Sequence, residues 1–151
     1  MRKARIGIIG VGWWGTVGHL APLHDDPQTE LVAVYSRTEA KARERAEKYR
    51  VPRYYTDYRQ MIDECALDGV IIATTPNMHY EQALYALEHG LHVLMEKPFV
   101  LHAEQAEHLQ RVAQEKGLLL SVCHPMIYPS WMAEMRRAIR SGALGNILTV
   151  S

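Results

Sequence analysis

The sequence predicts a doubly wound α/β fold, in which helices cover both faces of a parallel sheet in three αβα layers. Short apolar runs alternate with helical patterns along the chain, which is typical of βαβ units. A glycine-rich turn follows the first apolar run. The length of 151 residues suits a single compact domain.

Six apolar runs predict the strands. The run 69–73 (GVIIA) is continuously apolar, as a strand covered on both faces should be. The run 5–9 ends directly before the glycines and predicts the first strand. In order, the predicted strands are residues 5–9, 30–35, 53–55, 69–73, 91–95 and 118–123.

Helical patterns lie between and after these strands. The first is the weakest, because Gly18 lowers helix propensity and Pro22 kinks or ends a helix. Asp57 is the predicted N-cap of the third helix, and Gly90 and Gly117 close the fourth and fifth. In order, the predicted helices are residues 16–24, 39–49, 58–65, 79–88, 103–116 and 130–140.

Composition narrows the class of protein. The chain is 48% apolar and 23% charged with a formal net charge of zero, which argues against a nucleic-acid surface. Cys65 and Cys123 are too far apart for a CxxC pair and predict reduced thiols in a cytoplasmic protein. No run reaches about 18 apolar residues, so neither a transmembrane helix nor membrane association is expected.

The glycine-rich turn, residues 10–15 (GVGWWG), fits the GxGxxG pattern between a strand and a helix. Gly10 permits a tight turn, Gly12 lets the backbone approach a pyrophosphate, and Gly15 allows close packing. The helix N-terminus then binds the anion, which predicts a Rossmann-type dinucleotide site. Trp13 and Trp14 could contact the cofactor or a partner, and packing within the protein is the alternative. The predicted cofactor-binding residues are Gly10, Val11, Gly12, Trp13, Trp14 and Gly15.

The end of the second strand indicates the choice of cofactor. An acidic residue there would bind the ribose 2′-hydroxyl of NAD, but the sequence reads Ser36-Arg37-Thr38. An arginine and a hydroxyl suit a 2′-phosphate, so NADP is favoured slightly over NAD. A capping box between Ser36 and Glu39, with Arg37 as a solvated charge, is the structural alternative.

Polar groups follow the next three strands, at the edge of the sheet where ligands bind. Each has an ordinary structural interpretation alone, such as an N-cap or an exposed ion pair, but together they predict a cleft. His89 and His92 flank Gly90 across a turn without a third ligand, so no metal site is predicted. The polar groups are Thr74, Thr75, Asn77, His79, Glu96, Lys97 and His124.

Three stretches, GVGWWG (10–15), TTPNMHYEQALYALEHGLHVLMEKPF (74–99) and RSGALGNI (140–147), resemble the Gfo/Idh/MocA family of NAD(P)-dependent oxidoreductases. The resemblance covers essentially the whole chain and implies a cofactor-binding domain that acts by hydride transfer on sugar-like or polyol substrates. It also implies that Lys97 is catalytic, with Glu96 beside the nicotinamide ribose and the Pro98 peptide bond often cis. By resemblance Thr74, Thr75, Pro76, Asn77 and His79 line the cofactor cleft.

Two departures from the family accompany this resemblance. Met126 stands where relatives often have an arginine, and His124 is only a weak candidate for the substrate site. Family members also have a second α/β domain that supplies a histidine and often a dimer interface. Residues 1–145 are thus predicted as the cofactor domain and 146–151 as the start of a missing domain, with homo-oligomers expected. The alternative is a non-catalytic, stand-alone dinucleotide-binding or scaffold protein.

Overall fold

The computed structural model describes residues 2–149. Six strands form one parallel sheet in the order β3-β2-β1-β4-β5-β6. This is the strand order of a dinucleotide-binding Rossmann fold. The strands are β1 (Ala4–Ile9), β2 (Thr29–Tyr35), β3 (Arg53–Tyr55), β4 (Gly69–Ile72), β5 (His92–Glu96) and β6 (Leu120–Cys123). The predicted fold class is confirmed.

The helices alternate with the strands as predicted. The first, α1, has a π-helical part, Gly15–Leu20, and an α-helical part, Ala21–His24. Asp57 caps α3 as predicted, since its Oδ1 accepts a hydrogen bond of 2.8 Å from the backbone N–H of Arg59. The others are α2 (Glu39–Lys48), α3 (Tyr58–Glu64), α4 (Pro76–Glu88), α5 (Ala103–Glu115) and α6 (Ser130–Arg140).

Two predicted details of helix starts differ from the structure. The fourth helix begins at Pro76, earlier than predicted, because proline at the first helical position has the φ that a helix needs. The N-cap of α2 is Thr38, so Ser36 and Glu39 form no capping box. Instead, the Ser36 hydroxyl accepts a hydrogen bond of 3.4 Å from the backbone N–H of Thr38.

The core lies on both faces of the sheet because neighbouring strand residues point to opposite sides. Ile8 and Ile9 are both fully buried, yet they belong to different clusters. Side chains of α3, α4 and α5 pack in the larger cluster, and those of α1 and α2 pack in the smaller one. Both faces of β1 are therefore covered up to the turn that follows it.

The C-terminal part of the described chain packs loosely. No residue of α6 is buried, and three apolar side chains one turn apart, Trp131, Met135 and Ile139, are 38–48% exposed. Residues 146–149 form no strand, and residues 150 and 151 of the predicted domain start at 146–151 lie outside the described range. Among residues 2–149, no helix combines the length and apolar character needed to cross a membrane.

Candidate dinucleotide-binding site

A cavity of about 300 Å³ opens where β1, β2 and β4 end. Its wall consists of the glycine-rich turn, the residues that follow β2, and the first residues of the β4–α4 connection. The structure thus brings ten of the predicted binding residues together. They are Gly10, Val11, Gly12, Trp13, Trp14, Gly15, Ser36, Arg37, Thr74 and Thr75.

The three motif glycines are required for different reasons. Gly10 has a φ of +102°, and a Cβ there would lie 2.7 Å from the carbonyl oxygen of Ala73. A Cβ at Gly15 would collide with the carbonyl oxygen of Gly10. At Gly12, a Cβ would meet nothing within 4 Å. Protein packing therefore explains Gly10 and Gly15, whereas the open space at Gly12 fits the close approach of a pyrophosphate.

The part of the cavity wall that follows β2 is positively charged. Arg37 and Lys41 are exposed, line the cavity and stand four residues apart across the start of α2. Neither forms an ion pair with another residue in the range 2–149. Sequence analysis missed Lys41, which lies in the first turn of α2, whereas Arg37 precedes the helix.

His79 lies outside this cavity. Its side chain is fully buried, with Nδ1 3.0 Å from the carbonyl oxygen of Pro98 and Nε2 3.2 Å from that of Thr74. The Lys97–Pro98 peptide bond is cis, as the resemblance implied. His79 therefore joins the turn after β4 to the turn after β5, while Pro76 and Asn77 begin α4 without lining the cavity.

Glu96 ends β5 with its carboxylate directed into the protein. The residue is 4% exposed, and its Oε1 lies 2.7 Å from Nε2 of His19. Its Oε2 accepts a hydrogen bond of 3.2 Å from the backbone N–H of Lys97. Sequence analysis placed Glu96 beside the ribose, and in the structure its carboxylate contacts the His19 ring and the backbone N–H of Lys97.

The surroundings of Glu96 control its ionisation. Burial alone would raise the pKa of the carboxyl, but hydrogen bonds from Trp14, His19 and Cys123 outweigh burial and lower the pKa. Burial and the nearby Glu96 charge raise the pKa of the Cys123 thiol. Glu96 is therefore held as a carboxylate, and Cys123 is held as a neutral thiol at neutral pH.

His19, Glu96 and Cys123 each bring one nitrogen, oxygen or sulfur atom to within 4.8 Å of the others. Sequence analysis did not predict this group, because 77 residues separate His19 from Glu96 and no local spacing joins them. The parallel register of β5 and β6 pairs Glu96 with Cys123.

Lys97 and His124 follow β5 and β6 at the same edge of the sheet. Both are exposed, and neither lines the cavity. His124 directly precedes a short 3-10 turn, Pro125–Ile127, whose Met126 side chain is 59% exposed. The predicted substrate-side residues therefore stand beside the cavity, on the side where the Glu96 turn lies.

Strand order, glycine turn and cavity define the class of protein as a dinucleotide-binding domain of the Rossmann type. Residues 4–124 match the family model GFO_IDH_MocA, described as an oxidoreductase family with an NAD-binding Rossmann fold. The chain belongs to this family, and the predicted resemblance is confirmed.

Curated relatives match most of this chain. Scyllo-inositol 2-dehydrogenase (NADP(+)) IolW of Bacillus subtilis is 33% identical over 147 residues, which are 96% of this chain and 40% of that protein. The dTDP-3,4-didehydro-2,6-dideoxy-alpha-D-glucose 3-reductase of Saccharopolyspora spinosa is 32% identical over 97% of this chain and 44% of its own length. The chain thus spans less than half the length of these relatives.

Solved structures agree with the fold. Scyllo-inositol dehydrogenase from Lactobacillus casei with bound NAD(H) and scyllo-inositol has a TM-score of 0.88 and 25% identity, covering 97% of this chain and 43% of that chain. The open conformation of KijD10, a 3-ketoreductase from Actinomadura kijaniata in complex with TDP-benzene and NADP, has a TM-score of 0.87 and 28% identity, covering 93% of this chain and 44% of that chain.

Proposed function

We propose that this chain is the NADP(H)-preferring cofactor domain of an oxidoreductase that transfers hydride between the nicotinamide and a hydroxyl of a sugar-like or polyol substrate. The observation that carries the proposal is the cavity that joins the open space at Gly12 to the cations of Arg37 and Lys41. One end suits a pyrophosphate, and the other suits a 2′-phosphate.

Each end of the cavity has a separate role in this proposal. Backbone N–H groups at the start of α1 bind the pyrophosphate, because the N-terminus of a helix attracts anions. Arg37 and Lys41 bind the 2′-phosphate, with the Ser36 hydroxyl beside them. The relatives whose names include NADP(+) or NADP support this preference, whereas the L. casei structure holds NAD(H).

Lys97 is the proposed catalytic residue. When bound, the nicotinamide supplies or accepts the hydride. The Lys97 ammonium stabilises negative charge on the substrate oxygen or moves its proton. His124 is a second and weaker candidate for substrate contact. It is exposed directly after β6, the strand next to β5.

The complete enzyme in this proposal contains more than these residues. A further domain covers Lys97, supplies the remaining acid–base group and contributes to a homo-oligomer. Relatives named as inositol dehydrogenases and sugar reductases support the substrate class. Two free cysteines, Cys65 and Cys123, fit a cytoplasmic location.

Substitution of Gly12 tests the proposed cofactor site. In Gly12→Val the new side chain enters open space, so we expect the thermal unfolding midpoint to stay within a few degrees of the native value. The same side chain occupies the position of the pyrophosphate, so NADPH binding should weaken at least about 100-fold, since both packing and anion contacts are lost. Tryptophan fluorescence titration measures this affinity, and Trp13 and Trp14 in the cavity wall serve as reporters. Unchanged NADPH affinity in a folded Gly12→Val protein would contradict the proposed site.

A further inference from the structure

The Glu96 carboxylate lies where the glycine-rich turn meets the Lys97 turn. Four groups from three parts of the chain face it: the Trp14 indole and the His19 ring from the α1 region, the Cys123 thiol from β6, and the Lys97 backbone N–H. Trp14 also lines the cavity, and its ring lies against Gly18, where a Cβ would be 3.1 Å from the ring. A single buried anion therefore contacts both functional turns.

We propose that Trp14, His19 and Cys123 are positioning residues that hold Glu96 as a buried carboxylate and through it fix the Lys97 turn relative to the glycine-rich turn. This inference rests on the proposed function for the role of Lys97. Glu96 acts through Lys97, because its own oxygens are occupied by His19 and by the backbone N–H of Lys97.

The cost of burying an unpartnered carboxylate explains why these three side-chain donors are needed besides the Lys97 N–H. A buried carboxylate without partners is far more costly than one whose lone pairs are all occupied. At 4% exposure, water cannot substitute freely for a lost donor at Glu96. Removing one donor should therefore favour the protonated acid, which no longer accepts hydrogen bonds from both sides at once.

The sign of the pH effect follows from the lowered pKa of Glu96. The carboxylate is present above its ordinary pKa range, and its contribution is lost as pH falls through the lowered folded-state value. Loss of a donor moves this transition to higher pH. The titratable groups that face Glu96 are His19 from α1 and Cys123 from β6, and the remaining donors, the Trp14 indole and the Lys97 backbone N–H, do not titrate.

Nuclear magnetic resonance of the full 151-residue chain tests the network without a cofactor. The three tryptophans give three indole N–H resonances, and Trp14→Phe identifies the one of interest. We expect the Trp14 indole and Lys97 amide resonances to shift together during an acid titration, and Glu96→Gln to abolish that shared transition. Cys123→Ala should move the transition to higher pH, and Cys123→Ser should restore it because a hydroxyl replaces the thiol donor. Cys65→Ser is the matched control, since Cys65 belongs to the separate cluster under α3.

The NADPH affinity of His19 variants provides a second test. His19→Leu should weaken NADPH binding about tenfold through loss of a charge-assisted hydrogen bond, and His19→Gln should recover most of it because the amide keeps an N–H donor. If His19→Leu does not fold, the resonance titration of the native chain and of Cys123→Ala decides the question.

Three results would overturn the inference. The first is an acid transition of the Trp14 and Lys97 resonances that is unchanged in Glu96→Gln. The second is a folded His19→Leu protein that binds NADPH with native affinity. The third is elemental analysis that finds one equivalent of metal retained by His19, Glu96 and Cys123. Failure of the native chain to bind NADPH would instead refute the proposed function, because the resonance titration requires no dinucleotide.

Discussion

The preference for NADPH over NADH should depend on two cations at one end of the cavity. Arg37 and Lys41 both line it, and the side chain of each is exposed and free of carboxylate partners among residues 2–149. A hydrogen bond between charged groups contributes about 1.5–3 kcal/mol, and solvent screening at exposed sites reduces this to about 1 kcal/mol. We therefore expect Arg37→Ala and Lys41→Ala each to weaken NADPH binding about fivefold, without affecting NADH binding.

The double variant should remove most of the discrimination between the two cofactors. Fluorescence titration of NADPH and NADH against the native chain, both single variants and the double variant measures this directly. Arg43→Ala is the matched control, because Arg43 is an exposed arginine of α2 that does not line the cavity. Added salt should weaken NADPH binding more than NADH binding, since exposed charge pairs are screened. Equal affinities of the native chain for the two cofactors would refute the reasoning.

Three further predictions concern folding, reactivity and association. Gly15→Ala should destabilise the fold by about 1–3 kcal/mol, measured by urea unfolding, because its Cβ collides with the Gly10 carbonyl oxygen; native stability would contradict the described turn. Cys123 should be alkylated slowly by iodoacetamide at pH 8 and faster in Glu96→Gln, because removing the neighbouring charge lowers the raised thiol pKa; mass spectrometry follows the reaction, and an equal rate in both proteins would count against this. The chain should self-associate in sedimentation experiments through the apolar face of α6, and Met135→Asp should shift it toward monomer, whereas a native chain that stays monomeric at high concentration excludes this contact.

Local patterns were sufficient to predict the sheet and much of the cavity. Strands are signalled by apolar runs bounded by glycines, and both features are local in the sequence. All six strands were therefore located to within about two residues. The glycine-rich turn was predictable for the same reason, because its strand and helix are adjacent along the chain.

Contacts between residues far apart along the chain could not be predicted from local sequence patterns. The contact between His19 and Glu96 joins residues 77 positions apart, and nothing in either neighbourhood specifies the other. His79 was predicted to face the cleft because it follows a strand, but α4 begins at Pro76 and carries the ring inward. Where a polar side chain points depends on helix phase and packing, which the pattern of residue types leaves open.

The ring of His79 has a consequence for how the cleft responds to ligands. Its two nitrogens contact carbonyl oxygens of the β4 and β5 connections, so a single fully buried side chain spans the gap between them. Ordering a loop on binding costs free energy, which reduces affinity. Because His79 links them, the two connections have less conformational freedom to lose when a dinucleotide binds, which favours affinity.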